Sequence, residues 1–177
     1  MIMDFLEFTP VIGRQTWIAA SAYVIGKCTI GRDCSIWFGS VVRGDVHRIE
    51  IGDRTNIQDN SILHVTGPSP ENKDGFPLII GDDVTVGHKV TLHGCRIGNG
   101  CLIGMSATVL DDAEIGDESL VGAGSLVTQH KKFPPRSLII GSPAKFVRNL
   151  TDQEVQSLYE SSDHYVKYKN LYLSTEK

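Results

Sequence analysis

The sequence has few aromatic residues and no excess of positive charge. Phe, Trp and Tyr make up 7% of its 177 residues, and the formal net charge is −4. A mildly acidic chain lacks the electrostatic footprint of nucleic-acid-binding proteins, so we expect no nucleic-acid partner. No apolar stretch approaches the roughly 20 residues of a membrane-spanning helix. The acidic N-terminal segment also lacks the basic start of a signal peptide, so we expect a cytoplasmic protein with no membrane partner.

Cysteine is scarce and lacks the spacing of a thiolate metal site. The four cysteines are Cys28, Cys34, Cys95 and Cys101, and none forms a Cys-x-x-Cys pair. A zinc knuckle is therefore not expected. The members of each pair are six residues apart, which favours small buried positions in a six-residue repeat.

Aliphatic residues recur every six positions along most of the chain. This position is occupied by Ile12, Ile18, Val24, Ile30, Ile36 and Val42, and later by Ile97, Ile103, Val109, Ile115, Val121 and Val127. Glycine often follows the aliphatic residue, and a small or β-branched residue often stands four positions after it. A period of six excludes an amphipathic helix and long alternating strands. It predicts an all-β fold, a parallel β-helix of hexapeptide repeats with three short strands in each 18-residue coil.

Two interruptions and a tail complete the predicted organisation. The register slips by three residues around 46–50, and residues 66–77 form a Pro- and Gly-rich loop extruded from a corner. Thr151 and Glu154 have the spacing of a capping box, which predicts a helix from about Asp152 to Tyr172. We expect a β-helix over residues 1–149 and, over 150–177, a C-terminal helix packed along it.

Three histidines have positions that the repeat relates to one another. His64 and His93 each follow an aliphatic residue, and their separation, corrected for the inserted loop, is one coil of 18 residues. They should therefore stack about 4.8 Å apart, close enough to bind one metal ion. His88 falls on the preceding face, so it suggests a site between molecules. In a three-fold ring, His64 and His93 of one subunit would meet His88 of the next.

Four polar residues lie near these histidines in the repeat. Arg43 occupies the column of His64 one coil earlier, and Asp59 occupies the slot of His88 one coil earlier. Arg43 and Asp45 are candidates for a catalytic role or for a structural ion pair. Gln58 and Asp59 are candidates for the catalytic site, or turn residues at a corner.

At this point the chain resembles the γ-class carbonic anhydrase family, in its bacterial carbonic-anhydrase-like branch. The matching segments are Val42–Asp45, Ile51–Asp59, Leu63–Val65, Val86–Cys95 and Gly141–Lys145, the last of which hexapeptide acyltransferases share. The resemblance implies a left-handed β-helix, a homotrimer, and a metal bound at the subunit interfaces by His64, His88 and His93. It also implies an Arg43–Asp45 contact that helps to join subunits, with Gln58 and Asp59 beside the metal-bound water.

The expected activity is hydration of carbon dioxide to bicarbonate by a metal-bound hydroxide. Three imidazoles suit Zn²⁺, and Fe²⁺ or Co²⁺ as alternatives. The best-characterised relatives carry a proton-shuttling glutamate after the aspartate of the Arg-x-Asp motif, where this chain has Val46, so slow turnover is expected. The rival hypotheses are a thioesterase or acyltransferase of the hexapeptide class, and a non-catalytic metal-binding protein.

Overall fold

The computed structural model describes residues 1–175, so the last two residues of the predicted C-terminal segment lie outside the described part. Over these residues the chain forms twenty strands and one helix, α1 (Asp152–Thr175). The strands are β1 (Ile2–Met3), β2 (Val11–Ile12), β3 (Trp17–Ile18), β4 (Tyr23–Ile30), β5 (Ser35–Ile36), β6 (Val41–Ile51), β7 (Asn56–Ile57), β8 (Ile62–His64), β9 (Leu78–Ile80), β10 (Thr85–Val86), β11 (Thr91–His93), β12 (Arg96–Ile97), β13 (Leu102–Ile103), β14 (Thr108–Val109), β15 (Glu114–Ile115), β16 (Leu120–Val121), β17 (Leu126–Val127), β18 (Lys132–Phe133), β19 (Ser137–Gly141) and β20 (Ala144–Asn149). Among the described residues, no helix is long and apolar enough to cross a membrane.

Successive coils stack through parallel strand pairs. One face runs β3, β5, β7, β10, β13, β16 and β19 in spatial order, and antiparallel β20 closes its end. Along this face the aliphatic residues of the repeat lie opposite one another, as Ile36 does with Ile57 and Ile103 with Val121. The predicted hexapeptide β-helix with a C-terminal helix is confirmed. The stacked coils form a triangular prism, and the core lies inside it.

The small residues of the repeat are buried at the corners. Ser61, Ala107 and Ser119 are completely buried, and the side chains of the two serines hydrogen bond to backbone carbonyls of the next coil. All four cysteines are buried and free, as predicted. Burial raises the pKa of Cys28 to about 11 and the pKa of Cys34 and Cys101 to about 12, so they are neutral thiols near neutral pH.

The predicted three-residue slip lies within a long strand. β4 and β6 pair over most of their length, but Gly26 lies opposite Gly44 whereas Cys28 lies opposite Ile49. Three extra residues of β6 therefore bulge out. Both strands are longer than the very short strands expected from the repeat, because their backbones stay extended around the corner.

A single antiparallel bridge closes the inserted loop at its base. Thr66 and Phe76 exchange two backbone hydrogen bonds of 3.1 and 2.8 Å. The loop leaves and re-enters the prism between β8 and β9, so it lies beside the end of the strand that carries His64.

The helix begins at the predicted capping box. The Glu154 amide donates to the Thr151 hydroxyl at 3.2 Å, and the Thr151 amide donates to the Glu154 carboxylate at 2.8 Å. The helix continues beyond the predicted Tyr172 as far as Thr175, the last residue that the structure describes. Leu158 is buried, but Tyr168 and Leu171 are exposed, because the packed face of α1 also uses polar residues.

An aromatic cluster joins the helix to the first coils. Trp17 and Trp37 are buried, and their rings lie 4.6 and 5.3 Å from that of Tyr172. Tyr165 packs edge-on against Trp37 at 5.4 Å. The two tryptophans therefore pack the helix against the first coils.

Candidate metal centre

His64 and His93 lie opposite each other in neighbouring coils. They end β8 and β11, which pair in register from Leu63–Leu92 to His64–His93. His64 Nδ1 is 3.1 Å from His93 Nε2, and the ring centroids are 5.1 Å apart. The stacking predicted from the repeat is therefore confirmed, since one coil places the rings at the spacing of adjacent strands.

The other nitrogen of His64 contacts a carboxylate. His64 Nε2 lies 3.0 Å from Asp45 Oδ1, and Arg43 pairs with the second oxygen of the same carboxylate. Partial burial raises the pKa of Asp45, but the hydrogen bonds from His64 and Arg43 outweigh it and hold the pKa below its usual range. Asp45 is therefore an anion, and it accepts a hydrogen bond from the protonated Nε2 of His64.

The other nitrogen of His93 also contacts a carboxylate, one that sequence reasoning missed. His93 Nδ1 lies 3.1 and 3.2 Å from the two oxygens of Asp111. Burial opposes ionisation of Asp111, but the Thr66 hydroxyl and the nearby His93 lower its pKa overall. The register did not reveal this contact, because Leu92 pairs with Val109 and Leu110 therefore stands opposite His93, one residue before Asp111.

His88 and Asp59 form a second pair at a corner beside α1. His88 Nδ1 lies 2.9 Å from Asp59 Oδ2. The adjacent Gln58 is buried, and its side-chain amide donates to Asn56 Oδ1 at 3.2 Å. The pair lines an open groove of about 310 Å³ whose other walls are aromatic and aliphatic residues of the prism and the helix, Trp37, Phe38, Tyr165, Tyr168, Leu171 and Tyr172.

The predicted site residues thus fall into two groups within one chain. Arg43, Asp45, His64 and His93 form one continuous chain of contacts, and Asp59 with His88 forms the other. Over residues 1–175 of a single chain, no group of three or more His, Cys, Asp or Glu side chains is arranged to hold a metal ion.

The donor chemistry of the first group fits a divalent cation. A carboxylate accepts hydrogen bonds, so the neutral rings carry hydrogen on His64 Nε2 and on His93 Nδ1. The two facing nitrogens then present lone pairs to each other across 3.1 Å, which is unfavourable unless a proton or a cation lies between them. Two imidazoles on one tetrahedral zinc, with Zn–N of 2.0–2.1 Å, stand about 3.3 Å apart.

An aspartate partner alone does not make a histidine a ligand. His130 Nδ1 also lies 3.0 Å from a carboxylate, that of Asp112, but this pair is exposed and stands apart from the other histidines. The feature that distinguishes His64 and His93 is the pair of unprotonated nitrogens that face each other.

Comparisons with known proteins agree with this architecture. Residues 9–44 and 94–129 match the family described as bacterial transferase hexapeptide (six repeats), and residues 77–110 match the hexapeptide repeat of succinyl-transferase. Protein YrdA of Escherichia coli is 51% identical over 98% of this chain and 94% of its own length. A carbonic anhydrase of Geobacillus kaustophilus is 45% identical over 100% of this chain and 93% of its own. A crystal structure of a Bacillus cereus protein, named as a candidate acetyltransferase, is 43% identical, with a TM-score of 0.91 over 99% of this chain and 98% of that one.

The fold and the repeat matches define a hexapeptide-repeat β-helix protein. Within that class, the chain belongs to the γ-class carbonic anhydrase-like family.

Proposed function

We propose that this protein is a metal-dependent carbonic anhydrase-like enzyme that hydrates carbon dioxide to bicarbonate at a site shared between the subunits of a homotrimer. One observation carries the proposal. The unprotonated nitrogens of His64 and His93 face each other across 3.1 Å, because an aspartate holds the other nitrogen of each ring. His88 also has one ring nitrogen on an aspartate, at 2.9 Å, which leaves its other nitrogen to bind a metal. Metal-ligating histidines characteristically have such a carboxylate partner.

Two subunits would complete the ligand set. His64 and His93 of one copy would meet His88 of the next, whose exposed side chain faces out from its corner. The proposed metal is Zn²⁺, and Fe²⁺ or Co²⁺ would suit the same three imidazoles. A bound divalent cation would supply Lewis acidity that lowers the pKa of a coordinated water to about 7.

The remaining predicted residues would orient the ligands and the substrates. Asp59 holds the ring of His88. Gln58, anchored on Asn56, would orient the attacking water through its amide. Asp45 holds His64, and Arg43 holds Asp45, so the ion pair braces the ligand. In the proposed trimer the same pair would help to join neighbouring subunits.

Metal analysis and a carbon dioxide hydration assay on anaerobically purified protein test this proposal. We expect about one metal ion per chain and measurable hydration, both lost in His93→Ala. A wild-type protein that binds no divalent metal would contradict the proposal.

The groove beside His88 favours a second candidate, hydrolysis or transfer of an acyl group. Carbon dioxide needs far less room than about 310 Å³ lined by aromatic side chains. A similar Bacillus cereus protein is also named as a candidate acetyltransferase. Release of free thiol from acetyl and longer acyl thioesters, without hydration of carbon dioxide, would support this candidate.

A further inference from the structure

Asp111 is a nearly buried carboxylate with unusual partners. It is 8% exposed. It accepts hydrogen bonds from the Thr66 hydroxyl at 2.5 Å and from Gln129 Nε2 at 3.5 Å, in addition to its contact with His93. Over residues 1–175 its only ion-pair partner is His93, with no lysine or arginine. A buried charge without a cationic partner is costly to keep for structural reasons alone.

The backbone is shaped to let this carboxylate reach His93. Gly94 follows His93 with φ of +54°, and a Cβ there would lie 2.5 Å from Asp111 Oδ1 and 2.8 Å from Phe76 Cβ. Any side chain at this position would displace the carboxylate or the base of the inserted loop. Glycine at 94 is thus required both by its positive φ and by the space that Asp111 occupies.

Two aspartates therefore hold the histidine pair from opposite sides. Asp45 contacts His64 on one side and Asp111 contacts His93 on the other. The carboxylate of Asp111 requires hydrogen on His93 Nδ1, and only that tautomer leaves Nε2 unprotonated toward His64.

We infer that Asp111 is a positioning residue that holds His93 in the Nδ1–H tautomer and in the ring orientation that turns Nε2 toward the shared metal site. The inference rests on the proposed function in that it takes His93 as a ligand. Thr66, at the base of the inserted loop, donates to the same carboxylate, so Asp111 contacts both that base and His93.

Zinc affinity of the full-length protein is the first test. The variants Asp111→Asn, which keeps a neutral acceptor, and Asp111→Ala, which keeps none, are compared by competition with a chromogenic chelator. Loss of such a partner weakens metal binding about 10–100-fold. We expect the larger loss in Asp111→Ala and a smaller one in Asp111→Asn. The matched control is Asp112→Ala, which breaks the neighbouring pair with His130 and should leave zinc affinity unchanged.

The tautomer of His93 in the metal-free protein is the second test, and a merely structural role would not change it. Two-bond proton–nitrogen spectra of ¹⁵N-histidine-labelled protein should show His93 as Nδ1–H in the wild type and as a mixture with Nε2–H in Asp111→Ala. If Asp111→Ala does not fold, Asp111→Asn decides by its zinc affinity alone. Affinity of the folded Asp111 variants within about twofold of wild type, or an unchanged tautomer in Asp111→Ala, would overturn the inference. Absence of zinc binding in the wild type would instead overturn the proposed function.

Discussion

Val46 occupies an exposed position directly after the aspartate that holds His64. Its side chain is 52% exposed, and its amide donates to Asp45 Oδ1 at 2.9 Å. An aliphatic side chain can neither accept nor release a proton. In the proposed hydration reaction, the proton released at each turnover must therefore leave through another group or through buffer.

We expect Val46→Glu to raise the carbon dioxide hydration rate more in weak buffer than in strong buffer. A glutamate there would offer a local proton acceptor, and the exposure of the site leaves room for it. Stopped-flow hydration across a buffer series measures the effect, and size-exclusion chromatography checks that the assembly survives. An intact assembly with unchanged buffer dependence would show that proton transfer was not the missing step.

His88 provides a test of the ligand set that does not alter the stacked pair. We expect His88→Ala to lose most of its bound metal, because two remaining imidazoles hold a divalent ion weakly. Circular dichroism should change little, since no core aliphatic residue is altered. His130→Ala is the matched control, because His130 also pairs with an aspartate. Stoichiometric metal in His88→Ala would remove it from the ligand set.

At the scale of elements, five polar contacts of α1 with the prism lie along one column of corner residues. Asp33, Arg54, Asp83, Glu118 and Arg136 all have positive φ near 60°. Their partners on the helix are, in the same order, Lys169, Asp163, Ser162, Tyr159 and Asp152. Asp33 and Arg136 are five coil spacings apart, which is about 24 Å. The 17 helical steps from Asp152 to Lys169 span about 25 Å. The helix therefore matches the stack in length and runs antiparallel to it.

Lys169 makes the most buried of these attachments. It is completely buried, and its ammonium donates to Asp33 at 2.8 Å and to Asn170 at 2.7 Å. We expect Lys169→Ala to lower the free energy of unfolding by about 2–4 kcal/mol, because packing of its stem is lost and Asp33 loses its cation. Urea denaturation measures the change.

Tryptophan fluorescence should report the same change locally, since Trp17 and Trp37 contact Tyr172 of the helix. The exposed Lys167 is the control, and Lys167→Ala should cost less than about 0.5 kcal/mol. Equal effects of the two substitutions would mean that the buried attachment contributes nothing specific.

At the scale of the whole molecule, the proposed site needs more than one copy. The face that carries His64 also exposes the apolar side chains of Tyr23 and Ile62, at 39% and 42%. Light scattering should give about 58 kDa, three copies of the 19.4 kDa chain. A 19 kDa species that is still loaded with metal would exclude a shared site.

We expect Ile62→Asp to dissociate the trimer and to release its metal together. A buried carboxylate without a partner costs several kcal/mol at an interface, and Ile62 lies two residues before His64. Ile140→Asp is the control, because Ile140 is similarly exposed, at 46%, in β19 near the end of the prism. Dissociation with full retention of metal would show that one chain suffices.

Much of this architecture could be predicted because a hexapeptide repeat assigns each residue a coil and a face. The stacking of His64 on His93 and the three-residue slip in β6 both follow from counting along the chain. Counting does not identify contacts between residues that are out of register. Asp111 was missed because Leu92 pairs with Val109, so the register places Leu110 rather than Asp111 opposite His93. Its contact with His93 also depends on the absence of a side chain at Gly94.

The buried polar face of α1 was also missed, for a different reason. Helical periodicity of apolar residues predicts burial of Tyr168 and Leu171, yet both are exposed, whereas Ser162 and Lys169 are completely buried. The corner column offers charged partners to the helix, so polar residues are satisfied there and the apolar pattern is misleading.

The height of each histidine along the prism restricts which assembly could form the proposed site. His88 and His93 are five residues apart within one coil, so they lie at nearly the same level. A rotation about an axis parallel to the prism moves a residue around that axis without raising it, and a closed ring of parallel prisms uses only such rotations. His88 of one copy therefore arrives level with His93 of its neighbour. A screw displacement of even one coil, about 4.8 Å, would carry it out of reach, so this geometry selects closed rings over open filaments.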